Sequence, residues 1–363
     1  MTVKTNNIQA MVVGTSDVVA NRIKTAFRKV SDIDLTAEAV DGVDAVSRLR
    51  AHALDVIFID IGDANTNLKT DMTRLFKVDP DAQIVLVATL TFSNVKNAME
   101  GLVAGAAEFV QAPSRHTPHI SETTFNREIT DLAKALGRAR REKGVRTIAP
   151  PVSAHKHDHQ PAPTLPKRRP HVPKAIAIAS STGGPQALFT LFTALPRSVN
   201  QPIFLTQHMP AGFTTALADH IARRTEWPCS EGKDGSPIQG AHIYVAPGDY
   251  HMTVKKDAGG PSINVNQGPE ENYCRPSAEP MIRGLIDAYG GENLLLVVLT
   301  GMGSDSKDGA KAVMEAGGTV IVQDKETSVV WGMPGAVASA GNCHAVLPLQ
   351  EIGPMIGQIA AGK

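Results

Sequence analysis

Short apolar runs separated by amphipathic stretches recur along residues 9–142. QAMVVG, LTAEAV, DVIFIDI, AQIVLVA and EFVQA read as strands, while SDVVANRIKTAFRKV, DGVDAVSRLRAHA and NVKNAMEGLVAGA space their apolar residues as helices do. Alternation of buried-looking strands with helices predicts a parallel sheet covered on both faces. A last helix, roughly Ser121 to Arg140, sets Phe125, Ile129, Leu132 and Leu136 on one stripe and closes this first domain. The same alternation resumes at Ala175 with AIAIAS, PIFLTQ, HIYVAP, LLLVVLTG, TVIVQD and HAVLPL, and predicts a second doubly wound domain. The expected fold class is therefore α/β twice over, with domains at 9–142 and 174–363.

Between them, residues 143–173 change character. Prolines there remove backbone donors and favour extended conformations, which predicts a linker. His155, His157 and His159 lack a second ligand cluster, and Lys167, Arg168 and Arg169 form only a short basic run, so both read as solvated linker.

Length and charge narrow the function. A chain of 363 residues carries two domains, and its 36 Lys+Arg balance 36 Asp+Glu. That balance gives no global field for nucleic acid or an anionic membrane. No segment approaches the roughly 18 apolar residues of a membrane span, and the N-terminus lacks the pattern of a secretory signal. Cys229, Cys274 and Cys343 have no metal or redox spacing and read as reduced thiols. A cytoplasmic protein without membrane insertion or nucleic-acid partner is expected.

Candidate chemistry begins at AIAIASSTGGPQAL, residues 175–188, where a strand enters a glycine-rich turn and a helix. A dinucleotide site would require G-x-G-x-x-G and an acidic residue after the next strand, and a P-loop would require G-K-[ST]. Neither is present. The next strand ends instead at Gln207 and His208, and LLLVVLT delivers GMGSDSKDG with Asp305. A serine hydroxyl needs an imidazole to take its proton, and the imidazole needs an acid to orient it. Three strand ends of one parallel sheet would present Ser, His and Asp at the edge where ligands bind, within proton-transfer reach. Each residue alone also has an ordinary structural role, as an N-cap or a satisfied polar group. On the residues alone both readings stay open.

AIASSTGGPQAL, FLTQHMPAGFT, YVAPGDYHM, CRPSAEPM, LLLVVLTGMGSD and QDKETSVVWGMPGAV together resemble the catalytic domain of the chemotaxis protein-glutamate methylesterases, the CheB family. The first domain resembles the flavodoxin-like, CheY-like receiver usually fused ahead of it. The resemblance implies an esterase acting on glutamate γ-methyl esters of methyl-accepting chemoreceptors, with glutamine deamidation in related members. It implies Ser181 as nucleophile, His208 as base, Asp305 as orienting acid, and Thr182 and Met302 beside the oxyanion, with no metal or other cofactor for catalysis. His251 either lines the cleft or is structural, Arg275 faces the receptor or pairs internally, and Trp331 and Met333 shape a wall. A non-catalytic module that binds receptor helices is the alternative.

The receiver departs from its pattern. Asp60 stands at the phosphoacceptor position and Thr89 at the hydroxyl position, but VVGT places Gly14 and Thr15 where the Mg²⁺-binding acidic pair belongs. VQAP places Ala112 where a lysine belongs. Weak or absent Mg²⁺-dependent phosphorylation of Asp60 is expected, which leaves a histidine kinase or another regulatory protein as the partner of this domain.

Overall fold

The computed structural model describes residues 7–14, 17–62, 68–89, 91–114, 121–144, 172–257 and 259–362. The chain divides into two compact units, Met1–Ile148 and Ala149–Lys363. Thr15 and the linker residues His155, His157, His159, Lys167, Arg168 and Arg169 lie outside the described residues.

In the first unit, strands β1 (Ile8–Val13), β2 (Ile33–Ala39), β3 (Val56–Asp60), β4 (Ile84–Ala88) and β5 (Glu108–Gln111) alternate with helices α1 (Asp17–Phe27), α2 (Gly42–Ala51), α3 (Leu68–Val78), α4 (Phe92–Val103) and α5 (Glu122–Gly144). The strands form one parallel sheet in the order β2-β1-β3-β4-β5. That is the flavodoxin-like order, whose ligand edge lies at the carboxyl ends of β1 and β3. Strands β3 and β4 are buried at every position, as their unbroken apolar runs predict. Helix α5 buries the predicted stripe of Phe125, Ile129, Leu132 and Leu136.

The second unit contains β6 (Ala175–Ser180), α6 (Gly184–Ala194), β7 (Ile203–Gln207), α7 (Phe213–Thr225), β8 (Cys229–Glu231), β9 (Ile243–Val245), β10 (His251–Asp257) and β11 (Gly260–Asn266). It continues with α8 (Ala278–Tyr289), β12 (Leu294–Val298), α9 (Lys307–Glu315), β13 (Thr319–Gln323), α10 (Met333–Ser339), β14 (Ala345–Leu347) and α11 (Leu349–Ala360). A seven-stranded parallel sheet runs β14-β13-β12-β6-β7-β9-β8. The chain starts at β6, winds outward through β7, then crosses to β12 on the other side of β6, so the strand order switches direction beside β6. Ligands bind at such a switch.

Strands β10 and β11 form a separate antiparallel hairpin. Its inward residues Met252, Val254 and Ile263 join Met281, Ile282 and Leu285 of α8 in one buried cluster. That packing seats α8 and the loop before it against the end of the sheet. Among the described residues, no helix is long and apolar enough to cross a membrane.

Candidate active site

The turn after β6 separates two adjacent serines. Ser180, fully buried, donates from Oγ to Gln207 Oε1 at 2.7 Å, and Gln207 Nε2 donates to the Ser181 carbonyl at 3.0 Å. Ser180 is thus part of the scaffold. Ser181 is anchored by its backbone: its N–H donates to Thr300 O at 3.0 Å and its carbonyl accepts from Gly184 N–H at 2.6 Å. Its hydroxyl is engaged by no other described residue. Two glycines make this possible. Gly183 sits at φ 76°, a left-handed conformation, where a Cβ would also lie 2.5 Å from Val329. At Gly301 a Cβ would approach the Ser181 Cβ to 2.8 Å.

Strand register sets the next neighbour. Ser180 pairs with Gln207 across β6 and β7, and the His208 N–H donates to Ser180 O at 3.2 Å, so Ser181 and His208 leave adjacent strands side by side. His208 Nε2 meets Asp305 Oδ2 at 2.7 Å. Asp305, 1% exposed, is held by Ala278 N–H at 2.7 Å, Ser277 Oγ at 2.9 Å, Ser306 N–H at 3.0 Å and Asn272 Nδ2 at 3.1 Å. Burial pushes the Asp305 pKa up, but the hydrogen bond and charge of His208 and the donors from Ala278 and Ser277 outweigh it, so the carboxyl is held below the usual aspartate range. Burial pulls the His208 pKa down, yet the contacts with Cys274 and Asp305 leave it raised.

The expectation that all three side chains meet is fulfilled for two of them. No hydrogen bond joins Ser181 Oγ to His208; the second ring nitrogen, Nδ1, faces Cys274 Sγ at 3.5 Å instead. Nucleophile–base contacts in ligand-free enzymes are often open and close on substrate. Sequence reasoning missed Cys274, because a turn residue's contact with a side chain 66 positions away leaves no periodic signal. It also missed Asn272 and Ser277, although Ser277 carried a local cue as the N-cap of α8.

Thr182 is buried, and Met302 lies in the loop between β12 and α9. The backbone N–H groups of both are engaged by no other described residue, as donors kept for a ligand must be. His251 is 2% exposed, with Nε2 on Pro269 O at 2.8 Å and Nδ1 accepting from Ser277 N–H at 3.2 Å. Of its two readings the structural one holds. Arg275 pairs internally with Asp249 at 2.8 Å. Met333 is buried with its sulfur near Gly301, and Trp331 Nε1 donates to Gln323 O at 3.0 Å, so both are wall residues of the scaffold around Ser181.

The CheB methylesterase family model matches residues 176–356, which span the whole of this constellation. A protein-glutamate methylesterase/protein-glutamine glutaminase of Azospirillum brasilense is 43% identical over 98% of this chain and 93% of its own length. The chain belongs to the CheB methylesterase family. A second relative of the same name, from Rhodospirillum centenum, is 42% identical over 98% of this chain and 94% of its own. The crystal structure of the Thermotoga maritima CheB methylesterase catalytic domain superposes with a TM-score of 0.50 at 36% identity, covering 52% of this chain and 98% of that one.

The receiver-like unit that precedes the CheB methylesterase region holds a different kind of carboxylate. Asp60, at the end of β3, is 4% exposed and accepts a hydrogen bond from Gly62 N–H at 3.0 Å, while its Oδ2 has no partner among the described residues. Burial pushes its pKa up, only partly countered by the Gly62 donor. A Cβ on Gly14 would lie 2.8 Å from the Asp60 Cβ, so the Asp60 side chain itself crowds the space a side chain at position 14 would take. Ala112 is buried and offers no charge, and Thr89 is half-buried. Among the described residues no cluster of three or more His, Cys, Asp or Glu can hold a metal ion. Among Gly14, Asp60, Thr89 and Ala112, only Asp60 brings the carboxylate oxygens that Mg²⁺ takes.

Proposed function

We propose that this chain removes methyl groups from glutamate γ-methyl esters on chemoreceptors, in the cytoplasm, by serine acyl transfer without a metal or other cofactor. Ser181 Oγ bonds to the ester carbonyl carbon while His208 takes its proton. Thr182 and the Met302 backbone N–H stabilise the oxyanion, where losing one such donor costs about 3 kcal/mol. The intermediate collapses, methoxide takes the proton from His208 and leaves as methanol. Water, giving a proton to the same imidazole, then adds to the Ser181 ester; as the acyl–Oγ bond breaks, His208 returns that proton to Ser181 Oγ and glutamate is released. Asp305 orients the ring and balances its positive charge. The same steps on a glutamine side chain expel ammonia, which accounts for glutaminase in the names of the relatives.

The observation that carries this reading is the buried His208–Asp305 pair, fixed at the strand end beside a serine whose hydroxyl is uncommitted. A non-catalytic binding module gives no reason to keep a carboxylate ionised at such a site. Methanol release from methylated receptor by the parent and by Ser181→Ala tests it. A loss of roughly a thousand-fold or more is expected; equal release removes the assignment. For the receiver unit, the reading is control by docking of a regulatory protein rather than by phosphorylation of Asp60, consistent with its missing acidic pair.

A further inference from the structure

His208 has two ring nitrogens, and both are taken. Nε2 is committed to Asp305 at 2.7 Å, so Nδ1 is the nitrogen left to accept the Ser181 proton. Nδ1 faces Cys274 Sγ at 3.5 Å, within the range of a sulfur hydrogen bond, and Ser181 Oγ is engaged by no other described residue. The hydrogen bond Nδ1 makes is to this sulfur and not to the hydroxyl.

Cys274 is placed there by a tight turn. The backbone pairs Glu271 with Cys274 through bonds of 2.9 and 3.2 Å, and the two central residues, Asn272 at φ 54° and Tyr273 at φ 61°, are both left-handed. This is the geometry of a two-residue hairpin turn, unusual for a tyrosine and held in place by its surroundings. Arg283 Nη1 binds Glu271 at 3.0 Å on one side; Arg275 binds Asp249 at 2.8 Å and Gly268 O at 3.1 Å on the other. So anchored, the turn reaches both members of the pair, Asn272 touching Asp305 and Cys274 touching His208. Tyr273, between them, is 85% exposed, where a macromolecular substrate can press on the turn.

We propose that Cys274 is a positioning residue for His208: its sulfur caps Nδ1 in the resting enzyme, and Ser181 gains its base only when the Asn272–Cys274 turn yields that nitrogen. This rests on the assignment of Ser181 and His208 as nucleophile and base. A sulfur that accepts from Nδ1–H, together with Asp305 on the opposite nitrogen, also favours the protonated ring, and a protonated ring cannot act as a base. The charged groups behind are Glu279 of α8, whose pKa burial and then Asp305 push up to about 7, and Arg283 beyond it. Neither touches Nδ1.

The direct test is an NMR titration of the His208 ring in a Ser181→Ala background, with and without Cys274→Ala. The expected result is titration about one pH unit or more lower once Cys274 is gone. Methanol release against pH is the companion measurement: the acidic limb of kcat/KM moves to lower pH in Cys274→Ala, and less far in the near-isosteric Cys274→Ser. If Cys274→Ala does not fold, Cys274→Ser carries both measurements. An unmoved titration and an unmoved limb overturn the proposal. The titration requires no turnover, so it stands even where Ser181→Ala leaves methanol release unchanged and the hydrolytic reading itself falls.

Discussion

Asp60 ends a buried strand of one parallel sheet and Asp305 lies in the loop after a buried strand of the other, and both are almost wholly buried. Asp305 accepts five hydrogen bonds, from His208, Asn272, Ser277, Ala278 and Ser306. Asp60 accepts one among the described residues, from Gly62, and one of its oxygens has none. The two carboxyls therefore shift in opposite directions, down for Asp305 and up for Asp60. A buried carboxylate stays ionised only where donors replace the water it lost. In the second unit such donors surround Asp305, whereas one oxygen of Asp60 has none among the described residues.

The largest effects should fall on one side of this contrast. Asp305→Asn is expected to cut methanol release roughly a thousand-fold or more, through the wrong imidazole tautomer, while Asp60→Asn leaves the rate near the parent value. A large loss from Asp60→Asn would mean that the receiver carboxyl governs the site after all. Next, Ser180→Ala strands Gln207 Oε1 without its donor and should lower stability by about 1–3 kcal/mol in urea titration. Its methanol release should remain far above that of Ser181→Ala, which separates the scaffold serine from the reacting one.

Acetyl phosphate with Mg²⁺ should leave the mass of the full chain unchanged, without a phosphoryl group on Asp60. Stoichiometric modification would restore the ordinary switch. The smallest effect concerns acid. Asp305 has a depressed folded-state pKa, so its contribution to stability is present above the unfolded aspartate value and is lost as pH falls through the folded one. Asp60 has a raised pKa, so its contribution is present below the unfolded value and is lost as pH rises through the folded one. Asp60→Asn should accordingly raise the melting temperature of the receiver transition by a few degrees at neutral pH, with the gain vanishing on acidification.

Much of this contrast was legible in the sequence, because strand ends announce themselves. FIDIG and TGMGSD each leave an apolar run, and the missing acidic pair at Gly14 and Thr15 is visible as letters. The stripe on α5 was equally plain. What escaped has physical reasons. The β10–β11 hairpin sets buried Met252, Val254 and Ile263 among polar and half-buried residues, and does not resemble the wholly apolar strands around it. Helix α3 carries its buried Leu68, Met72 and Leu75 among charged residues and stood in a stretch without a clear start. Three partners of Asp305, Asn272, Ser277 and Ala278, come from the loop before α8 and its first residue, 27 to 33 residues upstream, and no spacing rule encodes which segment folds back onto which carboxylate.

The pairing of Ser180 with Gln207 makes the sheet itself the gauge for the reaction. Neighbouring strands stand about 4.8 Å apart wherever backbone hydrogen bonds join them, so the span from Ser181 to His208 is inherited from the sheet. A slip of β7 by a single position would turn its side chains to the opposite face and part His208 from Asp305.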